Sequence, residues 1–338
     1  MPSQMNAALP DGLEIGGYRI LRKIASGGFS VVYLAHDAEG IHYAIKEYLP
    51  ATLVTRKPGE LSPVVAPEHL NTYRNGLKCF FEEGRALARI LHPNVVRVVN
   101  FLRANDTVYL VMAHEEGRTL QDLVMRRRTG ATGQVIAERH IRRIFHLVMN
   151  GLREVNANRL LHLDLKPANV YLRLDASPML LDFGAARQTL SLDAPKLFPM
   201  YTPGFAAPEL YRRGMTLGPW TDVYGLGATM LACMLGQPPQ AADQRQVSDR
   251  IDEMLDRARD HYAEELVDTV DWCLSLDPMD RPQSVFALQK TLRASSPGRA
   301  ASEEGTRTAL GGLSRFVDTV VDVLGRRRRD PVAHVIDS

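Results

Sequence analysis

Apolar and polar positions follow different spacings in the two parts of the chain. Short runs with strand-like patterning lie within residues 18–48 and 95–113, and they flank one stretch of helical spacing. From about Leu120 onward, helical periodicity dominates. The pattern predicts an α+β fold in which a small β-rich lobe is joined to a larger α-helical lobe.

One helix is predicted between the two strand-rich regions. Residues 78–96 have apolar positions at helical spacing and then a proline that stops the helix. The preceding residues, 47–77, form a Pro-rich connection that is longer than most links between elements. We predict a surface insertion there, which is either a docking or regulatory element or a surface loop without a role.

Composition favours one large folded unit. The chain has 338 residues, 45% of them apolar, which is enough to bury a sizeable core. Its net charge of +2 argues against a dedicated nucleic-acid binder, so we expect no nucleic-acid partner. Cys79, Cys233 and Cys273 have the spacing of neither a metal site nor a disulfide framework, which favours a reducing cytoplasm.

The N-terminal residues carry no targeting signal that we recognise. Residues 1–16 lack a basic start and a long apolar run, and we expect them to be flexible. No window reaches the roughly 18 apolar residues that span a bilayer. The sequence therefore predicts a cytoplasmic protein without a transmembrane segment.

The C-terminal part combines a polar linker, 295–312, with a short amphipathic pattern in 313–338. The apolar face of the predicted helix consists of Leu313, Phe316, Val317, Val320, Val321 and Leu324. Four arginines at 326–329 follow it. Three interpretations stay open: docking on a partner or on the chain itself, peripheral contact with an anionic membrane, or no function. Asp318 and Asp322 weaken the membrane interpretation.

Two motifs carry the chemistry. Residues 162–169 have the sequence HLDLKPAN, and residues 182–184 are DFG. Phosphoryl transfer needs in-line positioning of two oxygens and neutralisation of charge on the phosphate. An aspartate can orient an attacking hydroxyl, and amide and carboxylate oxygens suit Mg²⁺. Each residue alone is unremarkable in a loop, but their order and spacing together indicate phosphoryl transfer.

The two motifs resemble the catalytic loop and metal-binding motif of eukaryotic-type (Hanks-type) Ser/Thr protein kinases. Matching elements run from about Tyr18 to about Leu292, and the sequence resembles those of bacterial members of the family. The resemblance implies a bilobal kinase domain at 17–294, with an N-lobe at about 17–113 and a C-lobe at about 117–294. ATP and a divalent cation would bind in the cleft between the lobes.

The resemblance assigns roles in the catalytic loop. Asp164 would accept or orient the proton of the substrate hydroxyl, and Lys166 would reach the γ-phosphate. Asn169 and Asp182 would bind Mg²⁺, with Mn²⁺ as an alternative. The lysine at 166 favours serine and threonine as acceptors, because tyrosine kinases usually have arginine or alanine there.

The nucleotide site is expected in the N-lobe and the hinge between lobes. Residues 24–35 resemble the glycine-rich hairpin, but its three glycine positions are Ala25, Gly27 and Ser30 here. Met112 would be the gatekeeper, and main-chain atoms of Ala113 and Glu115 would bind adenine. The complete set of expected ATP-binding residues is Ala25, Ser26, Gly27, Gly28, Phe29, Ser30, Val32, Ala44, Lys46, Met112, Ala113 and Glu115.

A lysine and a glutamate should pair in the N-lobe. Lys46 closes a strand-like run and corresponds to the lysine that binds the α- and β-phosphates in the family. Glu83 is its expected partner, because its distance from His92 matches the family pattern. The neighbouring Glu82 is the alternative.

The activation segment is expected to run from Asp182 to Glu209. Thr202 should form hydrogen bonds near Asp164 and Lys166, and Thr189, Ser191 and Thr202 are candidate autophosphorylation sites. Glu209 is expected to be buried against Arg281, while Asp222 would hold the catalytic-loop backbone. Most regulated kinases have arginine before the catalytic aspartate, but this chain has Leu163. Because phosphorylation acts through such a cation, we expect weak dependence on loop phosphorylation.

The sequence therefore predicts a Ser/Thr protein kinase that acts on protein substrates and can phosphorylate itself. A pseudokinase, which binds nucleotide and signals through partner binding, is the main alternative, and the two substituted glycines favour it. Retention of Lys46, Glu83, Asp164, Asn169 and Asp182 argues against that alternative. A small-molecule kinase is disfavoured by the sequences TPGFAAPE and DPMDRP.

Overall fold

The computed structural model describes residues 6–129, 136–183, 201–212 and 214–294. Thr189, Ser191, the linker at 295–312 and the helix predicted at 313–338 lie outside the described residues, and their assignments stay predictions.

A six-stranded antiparallel sheet forms most of the first lobe, in the order β1-β2-β3-β4-β8-β7. Its strands are β1 (Glu14–Ile15), β2 (Tyr18–Ser26), β3 (Ser30–His36), β4 (His42–Tyr48), β7 (Val98–Ala104) and β8 (Thr107–Ala113). The turn between β7 and β8 is a two-residue hairpin loop in which Asn105 and Asp106 both have positive φ, at 49° and 55°. Asn and Asp tolerate that backbone conformation better than most residues, which explains the sharp turn at this point.

Helix α1 (Leu70–Leu87) packs against this sheet. Gly76 and Gly84 allow the close approach, since a Cβ at Gly76 would lie 1.9 Å from the Tyr48 hydroxyl and one at Gly84 would lie 2.4 Å from the Phe101 ring. The helix buries Tyr73, Phe80 and Leu87 on the same face. It ends at Leu87, six positions before the predicted proline stop at Pro93.

The beginning of α1 differs from the sequence prediction. We expected helical structure from residue 78, whereas the helix begins at Leu70, within the range assigned to the insertion. Asn71, Asn75 and Gly76 are poor helix formers, so local propensity understates this helix. Packing of Tyr73 against Tyr48 provides the missing stabilisation.

The remaining insertion lies between β4 and α1 and is more ordered than a simple loop. It contains a two-stranded hairpin of β5 (Val54–Thr55) and β6 (Val64–Val65), followed by a short 3₁₀ turn at Pro67–His69. Leu53 and Val54 are buried in the main hydrophobic core. These apolar residues fix the insertion to the lobe.

The second lobe is mainly helical. Its described helices are α2 (Leu120–Thr129), α3 (Glu138–Ala157), α4 (Pro219–Leu235), α5 (Ala242–Arg245), α6 (Ile251–Arg259), α7 (Glu264–Cys273) and α8 (Val285–Ala294). The lobe also contains a small antiparallel sheet made of β9 (Gly117–Thr119), β10 (Val170–Arg173) and β11 (Pro178–Leu180). Strand β10 lies between the other two, in the order β11-β10-β9. The prediction of an α+β fold with two lobes is confirmed.

Helix α4 is the centre of the second lobe. Nearly all of its residues are buried, because α3, α6, α7 and α8 all pack against it. It begins at Pro219, which suits the first helical position, and ends at Leu235, where the following Gly236 caps it with a φ of 77°. None of the helices in the described ranges is long and apolar enough to cross a membrane.

Candidate active site

The segment between α3 and β10 is held by a carboxylate at the beginning of α4. Asp222 is buried and accepts hydrogen bonds from the backbone N–H groups of His162, at 3.0 Å, and Leu163, at 2.8 Å. Burial raises the pKa of Asp222, although these donors and His162 oppose the shift. Leu163 has a φ of 61°, an unfavourable conformation for a branched residue that the bonds to Asp222 help to stabilise.

His162 belongs to this segment, and its side chain is fully buried against Phe183. Its Nε2 lies 3.0 Å from the carbonyl oxygen of Leu181, and its Nδ1 lies 3.4 Å from the backbone N–H of Asp164. The first partner can only accept and the second can only donate, so both favour the neutral ring with its proton on Nε2. Burial lowers the pKa of His162, although the nearby carboxylates and the bond to Leu181 oppose the shift.

Three polar side chains contact the carboxylate of Asp164. Its Oδ1 accepts from the Thr202 hydroxyl at 2.8 Å, and its Oδ2 accepts from the Asn169 amide at 3.0 Å. Lys166 places its Nζ 2.7 Å from both Asp164 Oδ2 and the Thr202 hydroxyl oxygen. The structure therefore brings together all four predicted residues, although Thr202 is 38 positions away from Asp164 in sequence.

A second charged cluster connects the two lobes. Lys46 Nζ is bonded to Oδ1 of Asp182, and Lys46 is buried while the side chain of Asp182 is partly exposed. Burial alone would lower the pKa of Lys46, but the carboxylates of Asp182 and Glu83 outweigh it and the pKa is raised. The cation is thus stabilised by two carboxylates.

The two candidate glutamates occupy different environments on α1. Glu83 is 4% exposed and belongs to the buried face of the helix, where its carboxylate acts on Lys46. Glu82 lies on the exposed side, 3.9 Å from Lys78 one helical turn away. The structure places Glu83, rather than Glu82, near Lys46.

The expected nucleotide-binding residues surround the same cleft. Register pairs Val32 with Lys46 and Ala44 with Met112, which places these four side chains on one face of the sheet. The turn of the hairpin, closed by a 2.8 Å bond from Gly27 N–H to the Ser30 carbonyl, lies between β2 and β3. A Cβ added at Gly27 or Gly28 would meet no atom within 4 Å, apart from the adjacent residues. Ala25 and Ser26 end β2, Ser30 begins β3, and Phe29 precedes it.

At the hinge, some main-chain groups are already engaged within the protein. The N–H of Ala113 donates to the Arg97 carbonyl at 2.9 Å, and the carbonyl of Glu115 accepts from the Tyr171 hydroxyl at 3.1 Å. The Glu115 side chain is bonded to Arg173 of β10. These two main-chain groups therefore have partners within the protein.

An apolar cluster occupies the position next to the catalytic loop where regulated kinases have a cation. Leu163 is 5% exposed and packs with Leu161, Leu210 and Leu217. The segment that follows Thr202 is thereby attached to the catalytic loop through hydrophobic contact.

Glu209 and Arg281 form a fully buried ion pair. Arg281 donates to the two carboxylate oxygens at 2.9 and 3.1 Å, and also to the carbonyls of Ser275, Leu276 and Trp220. Its guanidinium lies 4.9 Å from the centre of the Tyr224 ring. The pair joins the end of the activation segment to the helical lobe.

Sequence reasoning overlooked two groups that matter for the site. His162 was passed over, although its place two residues before Asp164 in the motif was a usable signal. The buried pair of Glu47 and Arg56, in which the atoms lie 2.6 Å apart, was also missed. A glutamate directly after Lys46 in a buried strand was its only signal.

Comparison with known proteins agrees with this geometry. The family model described as the protein kinase domain matches residues 18–292. The serine/threonine-protein kinase STE20 of Candida glabrata is 26% identical over 269 residues, which cover 78% of this chain and 26% of that relative. This chain spans only 16% to 41% of the length of such curated relatives.

Two solved structures are similar as well. The apo form of PpkA-294 has 33% sequence identity and a TM-score of 0.72, over 84% of this chain and 99% of that one. The kinase domain of PknI from Mycobacterium tuberculosis, at 22% identity and a TM-score of 0.59 over 85% and 98% of the two chains, shares the fold. The family prediction made from the motifs is confirmed: this chain belongs to the protein kinase family.

Proposed function

We propose that the chain transfers the γ-phosphoryl group of ATP to serine and threonine hydroxyls of protein substrates. The observation that carries this proposal is the cluster of Asp164, Lys166, Asn169 and Thr202, in which every polar contact lies between 2.7 and 3.0 Å. Such a cluster fixes a carboxylate and an ammonium group side by side, as transfer from a phosphate to a hydroxyl requires.

In this proposal Asp164 orients the acceptor hydroxyl and receives its proton. Thr202 and Asn169 each donate one hydrogen bond to the carboxylate, which fixes its rotamer. Lys166 balances the charge that develops on the transferred group. Lys46, kept cationic by Asp182 and Glu83, binds the α- and β-phosphates of ATP.

The donor set also fits a magnesium ion. Asp182 offers a partly exposed carboxylate, and Asn169 offers an amide oxygen because its nitrogen is bonded to Asp164. When bound, Mg²⁺ would neutralise charge on the phosphates. Mn²⁺ accepts the same oxygen ligands and is an alternative.

Adenine would bind at the hinge through the Ala113 carbonyl and the Glu115 N–H. The face formed by Val32, Ala44 and Met112 would contact its ring. The glycine-rich turn from Ala25 to Ser30 would cover the phosphates.

We further propose that activity depends little on phosphorylation of the activation segment. The apolar contacts of Leu163 with Leu161, Leu210 and Leu217 attach the segment without a phosphate. No cation stands directly before Asp164 to pair with one.

The test is an assay of acceptor type. The protein is incubated with Mg²⁺ and labelled ATP, together with a generic basic protein, and the labelled amino acids are identified. We expect label on serine and threonine, and its loss when the cation is chelated. Binding of ATP without any transfer would favour the pseudokinase, for which alanine and serine in two glycine positions are the supporting observation.

The predicted C-terminal helix is a separate question. Removal of residues 310–338, followed by assays of activity and of binding to anionic vesicles, distinguishes a docking helix from a membrane-binding one. If the truncated protein keeps both its activity and its vesicle binding, the segment has no role in either process.

A further inference from the structure

A buried carboxylate lies on the face of the sheet opposite to Lys46. Glu47 follows Lys46 in β4, and successive side chains of a strand point to opposite faces. The carboxylate is completely buried and accepts four hydrogen bonds, two from Arg56 at 2.6 and 2.7 Å, one from Tyr33 at 2.7 Å and one from Tyr109 at 3.0 Å. Four acceptor contacts satisfy this carboxylate.

Arg56, in the insertion hairpin, is the partner of Glu47 and is equally well satisfied. Its guanidinium makes five hydrogen bonds, to the two Glu47 oxygens, the Tyr33 hydroxyl and the carbonyls of Ala7 and Leu61. Arginine has five N–H donors, so each has an acceptor. A buried pair with every group bonded fixes one geometry of the chain around it.

The N-terminal segment closes the network from outside. The Ala7 N–H donates to the Arg56 carbonyl at 3.0 Å, and the Asn6 side chain accepts from the Arg56 N–H at 2.8 Å. Leu9 is buried, and its N–H donates to the Tyr33 hydroxyl at 3.1 Å. Residues 6–9 thus hold the hairpin against the sheet.

The short segment between Glu47 and Arg56 is also bonded to the glycine-rich turn. The N–H of Leu49 donates to the Phe29 carbonyl, and the N–H of Ala51 donates to the Gly28 carbonyl, both at 2.8 Å. These two bonds tie residues 49–51 to the turn that would cover the phosphates. The two ends of the segment are fixed by the buried pair.

We propose that Arg56 is a positioning residue for the nucleotide: through Glu47 it fixes residues 49–51, which hold the Gly28–Phe29 turn over the ATP site. This inference rests on the proposed function. The turn has only one of the family's three glycines, and a turn held in place before ATP arrives loses less freedom on binding. The insertion therefore contributes to nucleotide affinity.

The most direct test removes one tether without touching the pair. Pro50 accepts hydrogen bonds from the N–H groups of Leu53 and Val54, so Ala51 occupies the first position of a helical turn. Proline is tolerated at that position, and Ala51→Pro deletes the N–H that reaches Gly28. Ala51→Ser keeps the N–H and is the matched control.

A second variant removes the charges of the pair. Glu47→Gln combined with Arg56→Met leaves no buried charge, and glutamine still offers partners to Tyr33 and Tyr109. It tests Arg56 without leaving an unpaired carboxylate. Thermal unfolding of all variants shows whether the fold is retained.

We expect Ala51→Pro to weaken binding of a non-hydrolysable ATP analogue with Mg²⁺ by about three- to tenfold, the effect of one hydrogen bond. The double variant should weaken it in the same direction. The KM for ATP should rise equally, while kcat at saturating ATP and the KM for a protein substrate stay within about twofold, because only nucleotide binding is changed. Ala51→Ser should match the wild type.

Equal nucleotide affinity in Ala51→Pro and Ala51→Ser, with the fold retained, would overturn the inference and leave the proposed function intact. Wild-type protein that neither binds the analogue nor transfers phosphate would refute the proposed function itself, and this inference with it. A fall in kcat with an unchanged KM for ATP would also overturn the assignment of Arg56.

Discussion

The hydroxyl of Thr202 donates to Oδ1 of Asp164 at 2.8 Å, and the hydroxyl oxygen of Thr202 accepts from Nζ of Lys166 at 2.7 Å. One threonine therefore connects the two charged groups of the catalytic loop. It lies in the activation segment, so the position of that segment and the rotamer of Asp164 are coupled.

Thr202 should be required for its hydrogen bond rather than for phosphorylation. Thr202→Val keeps the shape but loses the hydroxyl, and we expect kcat to fall by about one to two orders of magnitude, since a bond to a charged group is lost. Thr202→Ser keeps the hydroxyl and should retain most activity. Initial rates at saturating ATP measure the difference. Equal activity of the valine and serine variants would contradict this role.

Hydroxyls elsewhere in the activation segment should be dispensable. Replacing Thr189 and Ser191 together by alanine should change kcat by less than about threefold, because no arginine precedes Asp164 to receive a phosphate. The apolar contacts of Leu163 hold the segment instead. Activity of the double variant, compared with phosphatase-treated wild type, is the measurement. Loss of activity in both the double variant and the phosphatase-treated wild type would show that phosphorylation is needed.

The ion pair of Glu209 and Arg281 should dominate the stability of the helical lobe. Arg281→Met leaves a buried carboxylate unpaired, and we expect a loss of about 3–5 kcal/mol in the free energy of unfolding. Combining it with Glu209→Gln should recover part of that loss. Denaturant unfolding measures these differences.

The exposed pair of Lys78 and Glu82 offers a control for this prediction. Its atoms are 3.9 Å apart at the surface of α1, so Lys78→Met should change stability by less than about 1 kcal/mol. Similar losses for Lys78→Met and Arg281→Met would contradict the importance given to the buried pair.

Burial of His162 should make folding sensitive to mild acid. Its pKa is lowered in the folded protein, so below the ordinary value of about 6.5 the unfolded chain binds more protons than the native one. Stability contributed by the neutral ring is present above that pH and is lost as the pH falls further. Asp222, Asp164 and Asp182 act on the ring in the opposite direction but do not cancel the effect of burial.

His162→Phe removes this titration. We expect the variant to be less stable than the wild type at pH 7 but to lose less stability between pH 7 and 5.5. Urea midpoints at both values measure it. Parallel losses in the two proteins would show that His162 is not the responsible group.

The sequence was sufficient to predict the residues of the catalytic loop, because these residues lie within a few positions of one another. Asp164, Lys166 and Asn169 are local, and the family pattern gives their spacing. The choice between Glu82 and Glu83 needed the structure, since adjacent helical residues point about 100° apart and only the packing of α1 decides which is buried.

Other features depend on long-range packing that local patterns do not encode. The beginning of α1 at Leu70 rests on contacts of Tyr73 and Gly76 with β4, not on helix propensity. The bond between Arg56 and Glu47 joins two ordinary charged residues, and its burial depends on an N-terminal segment about 50 positions earlier in the chain. Nothing in their spacing separates them from surface residues.

The decisive measurement for phosphoryl transfer at Asp164 is the transfer of labelled γ-phosphate from ATP with Mg²⁺ to the protein itself and to a generic basic substrate. Wild type is compared with Asp164→Ala and Lys46→Met. We expect label on serine or threonine that both substitutions abolish while the fold is retained. Transfer that persists in Asp164→Ala, or wild type that binds ATP without transferring phosphate, would contradict it.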